Sequence, residues 1–187
     1  PNVNVINIVS KARQKPYCDV VMQLFRTDKK TEFRFDDDIF NFLYMNGVID
    51  VEEQEDKYFV KFPSPFIQKR LFNFFARQLF DEPGRLFDPF EDLSDSITEH
   101  SLNIRNLMKR YQAYLKLNRD WLLRDVPRRK DLRIYEAVFH FNLFTWLSDF
   151  FQIKKGCVLP EFPTGNGKID LLIRYAGNTY GIELKSY

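Results

Sequence analysis

Three charged residues of this chain stand where charge is expensive. Asp170 lies near the start of the run Ile169-Asp170-Leu171-Leu172-Ile173, and Glu183-Leu184-Lys185 closes the run that begins at Tyr180. Both runs are otherwise apolar and strand-like, and a charge inside a buried strand is costly unless it is paired or bound to a metal. Side chains two apart leave a strand on the same face, so Glu183 and Lys185 point the same way. If the neighbouring strand pairs through the turn Ala176-Gly177-Asn178, Asp170 reaches that face as well. Two carboxylates plus water are hard oxygen ligands suited to Mg²⁺. A metal so held orients a phosphate and lowers the pKa of a bound water, with Lys185 placed to orient or help deprotonate that water and to offset developing charge. That is the chemistry phosphodiester hydrolysis needs. The same residues also suit an ordinary buried ion pair of Asp or Glu with Lys on adjacent strands, and their types alone leave both readings open.

Neighbouring residues add weaker candidates. Glu161 follows Pro160 near the end of an extended run and is either a further carboxylate near the metal or a surface loop residue. His140 lies one helical turn after Glu136, and among Phe139 and Phe141 it reads as a satisfied core histidine before it reads as a ligand. Gly165-Asn166-Gly167 lacks the lysine and Ser/Thr arrangement of a Walker A loop and is expected to be a tight strand connection.

The elements that must position these groups follow from periodicity. Asp131 to Phe151 forms a long apolar and aromatic helical pattern, Gly156 breaks it, and three extended runs follow at Cys157 to Phe162, Lys168 to Tyr175 and Thr179 to Lys185. Residues 131–187 therefore read as α-β-β-β. Upstream, Asp19 to Arg26 is a helical run, Glu32 to Phe35 is extended, and Asp36 to Met45 is a helix with an acidic start that Asn46-Gly47 stops. Val48 to Val51 and Lys57 to Phe62 flank the polar tract Glu52 to Asp56 as a hairpin, and Phe66 to Phe80 is an amphipathic helix. This order predicts a winged-helix-like domain over 1–80. Its wing carries Asp50, Glu52, Glu53, Glu55 and Asp56 against Lys57 and Lys61, a sign that opposes phosphate contact, so a structural or intramolecular role is expected.

The turn-rich stretch Asp81 to Leu93 marks a boundary, and Ser94 is expected to open a helical region. Residues 81–130 are thus a linker and basic helical connector. Between Arg105 and Arg133 stand ten Lys/Arg and three Asp. Charge divides along the chain: residues 1–99 hold 13 Lys/Arg against 18 Asp/Glu, and residues 100–187 hold 15 against 8. The basic half is where a polyanion would be drawn, although such asymmetry also occurs in proteins that bind no nucleic acid. Aromatic positions such as Phe66, Leu71, Phe74 and Phe75, and Phe139, Leu143, Trp146 and Leu147, recur at helical spacing and are expected in the core.

The order of Glu136 on a helix, Asp170 on the second strand and Glu183-Leu184-Lys185 on the third resembles the PD-(D/E)xK nuclease superfamily, which includes restriction endonucleases and Holliday-junction resolvases. The run from Pro160 to Asp170, with Glu183-Leu184-Lys185, looks closer still to the C-terminal nuclease-like domain of bacterial AAA-ATPase-like proteins, where a winged-helix-like segment lies between ATPase and nuclease. The resemblance implies that Asp170 and Glu183 hold Mg²⁺ or Mn²⁺, that Lys185 is the catalytic lysine, and that Glu136 completes the metal site. Ile169 stands where the pattern has proline. The helix and strand that follow the third strand in the superfamily are missing, so the core is expected to be C-terminally incomplete. DNA is the implied substrate and a missing ATPase domain the implied intramolecular partner. The alternative is a non-catalytic nucleic-acid-binding or regulatory module of an ATPase.

The expected fold class is accordingly α+β or mixed α/β, a winged-helix-like domain followed by a truncated restriction endonuclease-like core. No stretch approaches a membrane span or a signal peptide. Cys18 and Cys157 match no zinc or redox spacing, which points to a reduced, cytoplasmic setting.

Overall fold

The computed structural model describes residues 3–25, 30–81, 86, 91–164 and 167–184. The chain is mixed α+β, with six helices and two small antiparallel sheets among the described residues. In order these are α1 Val3–Ala12, α2 Tyr17–Leu24, α3 Asp38–Met45, β1 Asp50–Gln54, β2 Lys57–Lys61, α4 Pro65–Leu79, α5 Ile104–Leu122, α6 Glu136–Ile153, β3 Cys157–Thr164, β4 Gly167–Tyr175 and β5 Asn178–Ile182. They form two compact units drawn from non-consecutive stretches, the first mainly Pro1–Phe75 with Pro127–Val138, the second Ala76–Val126 with Phe139–Glu183.

In the first unit, α3 begins at Asp38 because the Asp37 carboxylate accepts the N–H groups of Ile39 at 2.8 Å and Phe40 at 3.3 Å, donors the helix itself leaves unpaired. The helix ends before Gly47, whose φ of +67° suits glycine. The acidic tract 52–56 is not the loop its polarity predicts: β1 runs on to Gln54, and only Glu55 and Asp56, with φ of 48° and 61°, make the tip. Two residues at positive φ match the twist of paired strands, so the turn needs no more. The extended stretch at Glu32 joins the hairpin, with the Phe33 N–H on the Tyr58 carbonyl at 2.7 Å and the Val60 N–H on the Thr31 carbonyl at 2.8 Å. The core here gathers Met22, Phe25, Leu43, Ile49, Leu71, Phe72 and Phe75, with the Phe25 ring 4.8 Å from Phe62 and 5.7 Å from Phe72. Phe66, expected in that core, is 52% exposed because it falls in the first turn of α4.

In the second unit, Ser94 does not open a helix. The Asp92 carboxylate takes the Ser94 N–H in a local turn, Ile97 bridges Leu102, and α5 starts only where the Asn103 side chain accepts the Asn106 N–H. Helix α6, whose first turn still belongs to the first unit, starts at Glu136 rather than Asp131, because residues 128–134 of that unit close a turn in which Arg128 bridges Ile134 and the Arg129 N–H meets the Arg133 carbonyl at 2.8 Å. From Val138 to Phe151 the helix is buried on most of its circumference, the mark of an interior helix. Phe139 is the exception at 40% exposed. Trp146 stacks on Phe150 at 5.5 Å and lies 5.4 Å from Tyr111 of α5.

Gly156 separates α6 from β3 for a steric reason: a Cβ there would stand 2.6 Å from Cδ1 of the buried Phe151. The meander β3-β4-β5 follows, with Ala176 and Gly177 at φ 47° and 78° forming its last turn. The Tyr175 hydroxyl donates to the Thr98 carbonyl, the Asn178 amide to the His100 carbonyl, and the Leu102 N–H to the Tyr180 hydroxyl. These three bonds tie the last hairpin to the loop ahead of α5.

Candidate functional site

The site grows from the middle strand. β4 pairs on both sides, and Asp170, Leu171, Leu172 and Ile173 are all buried, which explains an apolar run without polar alternation. Asp170 is 1% exposed and is the one buried carboxylate among the described residues. Its backbone is anchored from α6, where His140 Nε2 lies 3.1 Å from the Asp170 carbonyl oxygen. A carbonyl only accepts, so Nε2 carries the proton and His140 acts as a buried anchor for the strand rather than as a metal ligand through that nitrogen.

Register brings the second carboxylate to the first. β5 pairs with β4 from Tyr175↔Asn178 to Leu171↔Ile182, and the next step of that ladder sets Glu183 across from Asp170. β5 ends at Ile182, earlier than the pattern through Lys185 predicts, so Glu183 stands exposed just past the strand. On the other side, Pro160↔Leu171 and Phe162↔Ile169 bracket Asp170, which puts the Glu161 backbone across from it on β3. The side chain of Glu161, the Gly165-Asn166 pair and Lys185 lie outside the described residues. Glu136 is half-buried in the first turn of α6 and belongs to the first compact unit, whereas Asp170 and Glu183 belong to the second.

Among the described residues no group of three His, Cys, Asp or Glu side chains comes together. Mg²⁺ does not require one. It keeps several waters and is commonly held by one or two carboxylates, so a buried Asp170 with Glu183 at the sheet margin fits it as a donor set.

Two features of the surroundings escaped sequence reasoning. Gly181 leaves room for Ile169, since a Cβ there would meet Ile169 Cδ1 at 3.2 Å. A strand glycine is itself a signal of close approach. Behind α6, the Tyr111 hydroxyl donates to Asn142 Oδ1 at 2.9 Å, and burial pushes the phenol of Tyr114 up to about 12. Nothing in the periodicity separates this polar pair from the aromatic core around it.

The basic stretch divides. Arg105, Lys109 and Lys116 are exposed along one face of α5, while Arg110 turns inward to Glu91, Asp95 and the Ser96 hydroxyl. Burial opposes the Arg110 charge, but those carboxylates raise its pKa. Arg128 to Arg133 sit in the turn before α6. No helix among the described residues is long and apolar enough to cross a membrane. Comparisons with protein-family models, with curated proteins and with solved structures gave no match.

Proposed function

We propose that this chain carries the metal-binding half of a PD-(D/E)xK-type centre that hydrolyses DNA phosphodiesters, within a longer protein that also holds an ATPase. The observation that supports it is one juxtaposition: the buried carboxylate of Asp170 and, one ladder step beyond Leu171↔Ile182, Glu183 just past the end of β5. In this reading Asp170 and Glu183 hold Mg²⁺ or Mn²⁺, the remaining positions being water. When bound, the metal supplies Lewis acidity toward the phosphate and a more acidic water.

The chain's own groups supply the rest. His140 anchors the Asp170 backbone and so holds the stretch of β4 that carries the carboxylate. Lys185 orients the attacking water and offsets negative charge as its oxygen bonds to phosphorus and the P–O ester bond breaks. The exposed Arg105, Lys109 and Lys116 face of α5 holds the backbone through phosphate contacts, which give affinity without sequence information. The segment 1–80 is winged-helix-like in this reading, with α3 followed by the β1-β2 wing. Acidic Glu52 and Glu53 on that wing keep it away from the duplex and suit a structural role.

The test is calorimetric titration of Mn²⁺ or Mg²⁺ into the wild-type chain, Asp170→Ala and Glu183→Ala, with plasmid and single-stranded DNA then offered to each. Metal binding and nicking in the wild type, lost in both variants, are expected. Metal binding absent from the wild type would overturn the proposal in favour of a buried ion pair. DNA binding without cleavage would shift it to the non-catalytic module.

A further inference from the structure

A second concave site lies in the first unit. It is a cavity of about 460 Å³ lined by Asp19 and Gln23 of α2, by Arg128 to Asp131 of the turn before α6, and by Tyr135. Its volume falls in the range of small-molecule pockets, about 300–1,000 Å³.

The turn is built to hold its cations in place. The Leu132 N–H meets the Arg129 carbonyl at 2.9 Å, Leu132 adopts φ 65°, and Arg128 Nη1 donates back to the Leu132 carbonyl at 3.3 Å. Asp131 lies 3.6 Å from Arg129 and 4.0 Å from Arg133, so one carboxylate serves two guanidinium groups. Lys130 takes part in no ion pair among the described residues. Asp131 lines the cavity on the same side, so Arg128, Arg129 and Lys130 face it against one carboxylate and the side is net positive. Guanidinium forks match phosphate oxygens in pairs.

The opposite wall has the other sign. Tyr135 is buried and lines the cavity with Asp19 and Gln23, and its phenol is raised first by burial and then by the Asp19 charge. All three groups accept from hydroxyl and amino groups, and the Asp19 carboxylate repels a second phosphate. We propose that this cavity binds a nucleotide carrying a single phosphate monoester, the phosphate on Arg128, Arg129 and Lys130 and the sugar or base on Asp19 and Gln23. The phosphate comes either from a free nucleoside monophosphate or from the phosphorylated end of a strand. The site does not depend on any reaction at Asp170.

Titration calorimetry on the full chain in EDTA tests it, since no metal chemistry then intervenes. A nucleoside 5′-monophosphate should bind saturably and be displaced by inorganic phosphate. Arg128→Ala with Lys130→Ala should weaken it about tenfold or more, the usual cost of lost charge-assisted hydrogen bonds. Lys130→Glu, at an exposed position, should do the same with an unchanged melting temperature. Asp19→Asn should narrow the preference for nucleotide over inorganic phosphate. A 5′-phosphorylated oligonucleotide that outcompetes its 5′-hydroxyl twin assigns the strand end as the source, and binding by the mononucleotide alone assigns the free nucleotide. Absence of saturable nucleotide binding, sulfate binding as tightly as nucleotide, or unchanged affinity in the Lys130→Glu chain would overturn the proposal.

Discussion

Replacing Asp170 with asparagine keeps the shape of a side chain that is 1% exposed and removes its charge. If Asp170 and Glu183 hold a divalent metal, the native state alone binds it, because the unfolded chain does not bring β4 and β5 together. A ligand at a hundred times its dissociation constant then stabilises the fold by about 2.7 kcal/mol. In a chain of 187 residues each kcal/mol moves the melting temperature by about 2–4 °C, so Mn²⁺ should raise it by about 5–10 °C. With one carboxylate gone, the Asp170→Asn chain should keep less than about 2 °C of that shift at the same Mn²⁺ concentration. Thermal unfolding followed by circular dichroism, with and without Mn²⁺, reads this directly. An equal shift in both chains would refute the assignment of Asp170. No shift in the wild type, together with a metal-free loss of about 3–5 kcal/mol in Asp170→Asn, would identify a buried ion pair whose partner charge has been stranded.

Further outcomes follow from the packing. Gly156→Ala places a methyl 2.6 Å from Phe151 Cδ1 and should cost about 1–3 kcal/mol in urea unfolding, whereas a loss below 0.5 kcal/mol would mean the ring is free to move. Asp37→Ala removes the cap that takes two N–H groups of α3 and should cost about 1 kcal/mol by the same measurement. Burial raises the Asp149 carboxyl pKa, so in the folded chain this group favours its protonated form; its contribution to stability is present below the ordinary carboxylate pKa and is lost as pH rises through the folded value. Asp149→Asn should therefore be more stable than wild type at pH 7 and no more stable at pH 3. Burial also pushes the Cys18 thiol up to about 11, while Cys157 is exposed; a colorimetric thiol reagent at pH 8 should label one cysteine in the native chain and two in denaturant.

The three extended runs after Gly156, their order and the turn at Ala176-Gly177 were legible in the residues, because β-rich apolar runs of five to nine residues bounded by glycine have few other solutions. So was α3, whose acidic start and Asn46-Gly47 stop act within one turn of the backbone. Errors gathered where local hydrogen bonds compete with the helix. Ser94 and Asp131 look like helix starts, yet Asp92 and the Arg129–Arg133 bond close turns there, and the helices wait for Asn103 and Glu136.

Residue types at Asp170 and Glu183 were enough to pose the choice between metal site and ion pair. Their placement across one ladder step was a matter of register, and register is set by pairing between strands that no single strand contains. Two further facts belonged to tertiary structure alone. His140 became an anchor because α6 packs its ring against the Asp170 carbonyl, thirty residues away in sequence. The basic run, uniform on the page, separated into an inward Arg110, an exposed α5 face and the cation rim of a cavity, because a side chain's charge is known from its type but its partners only from what the fold places beside it.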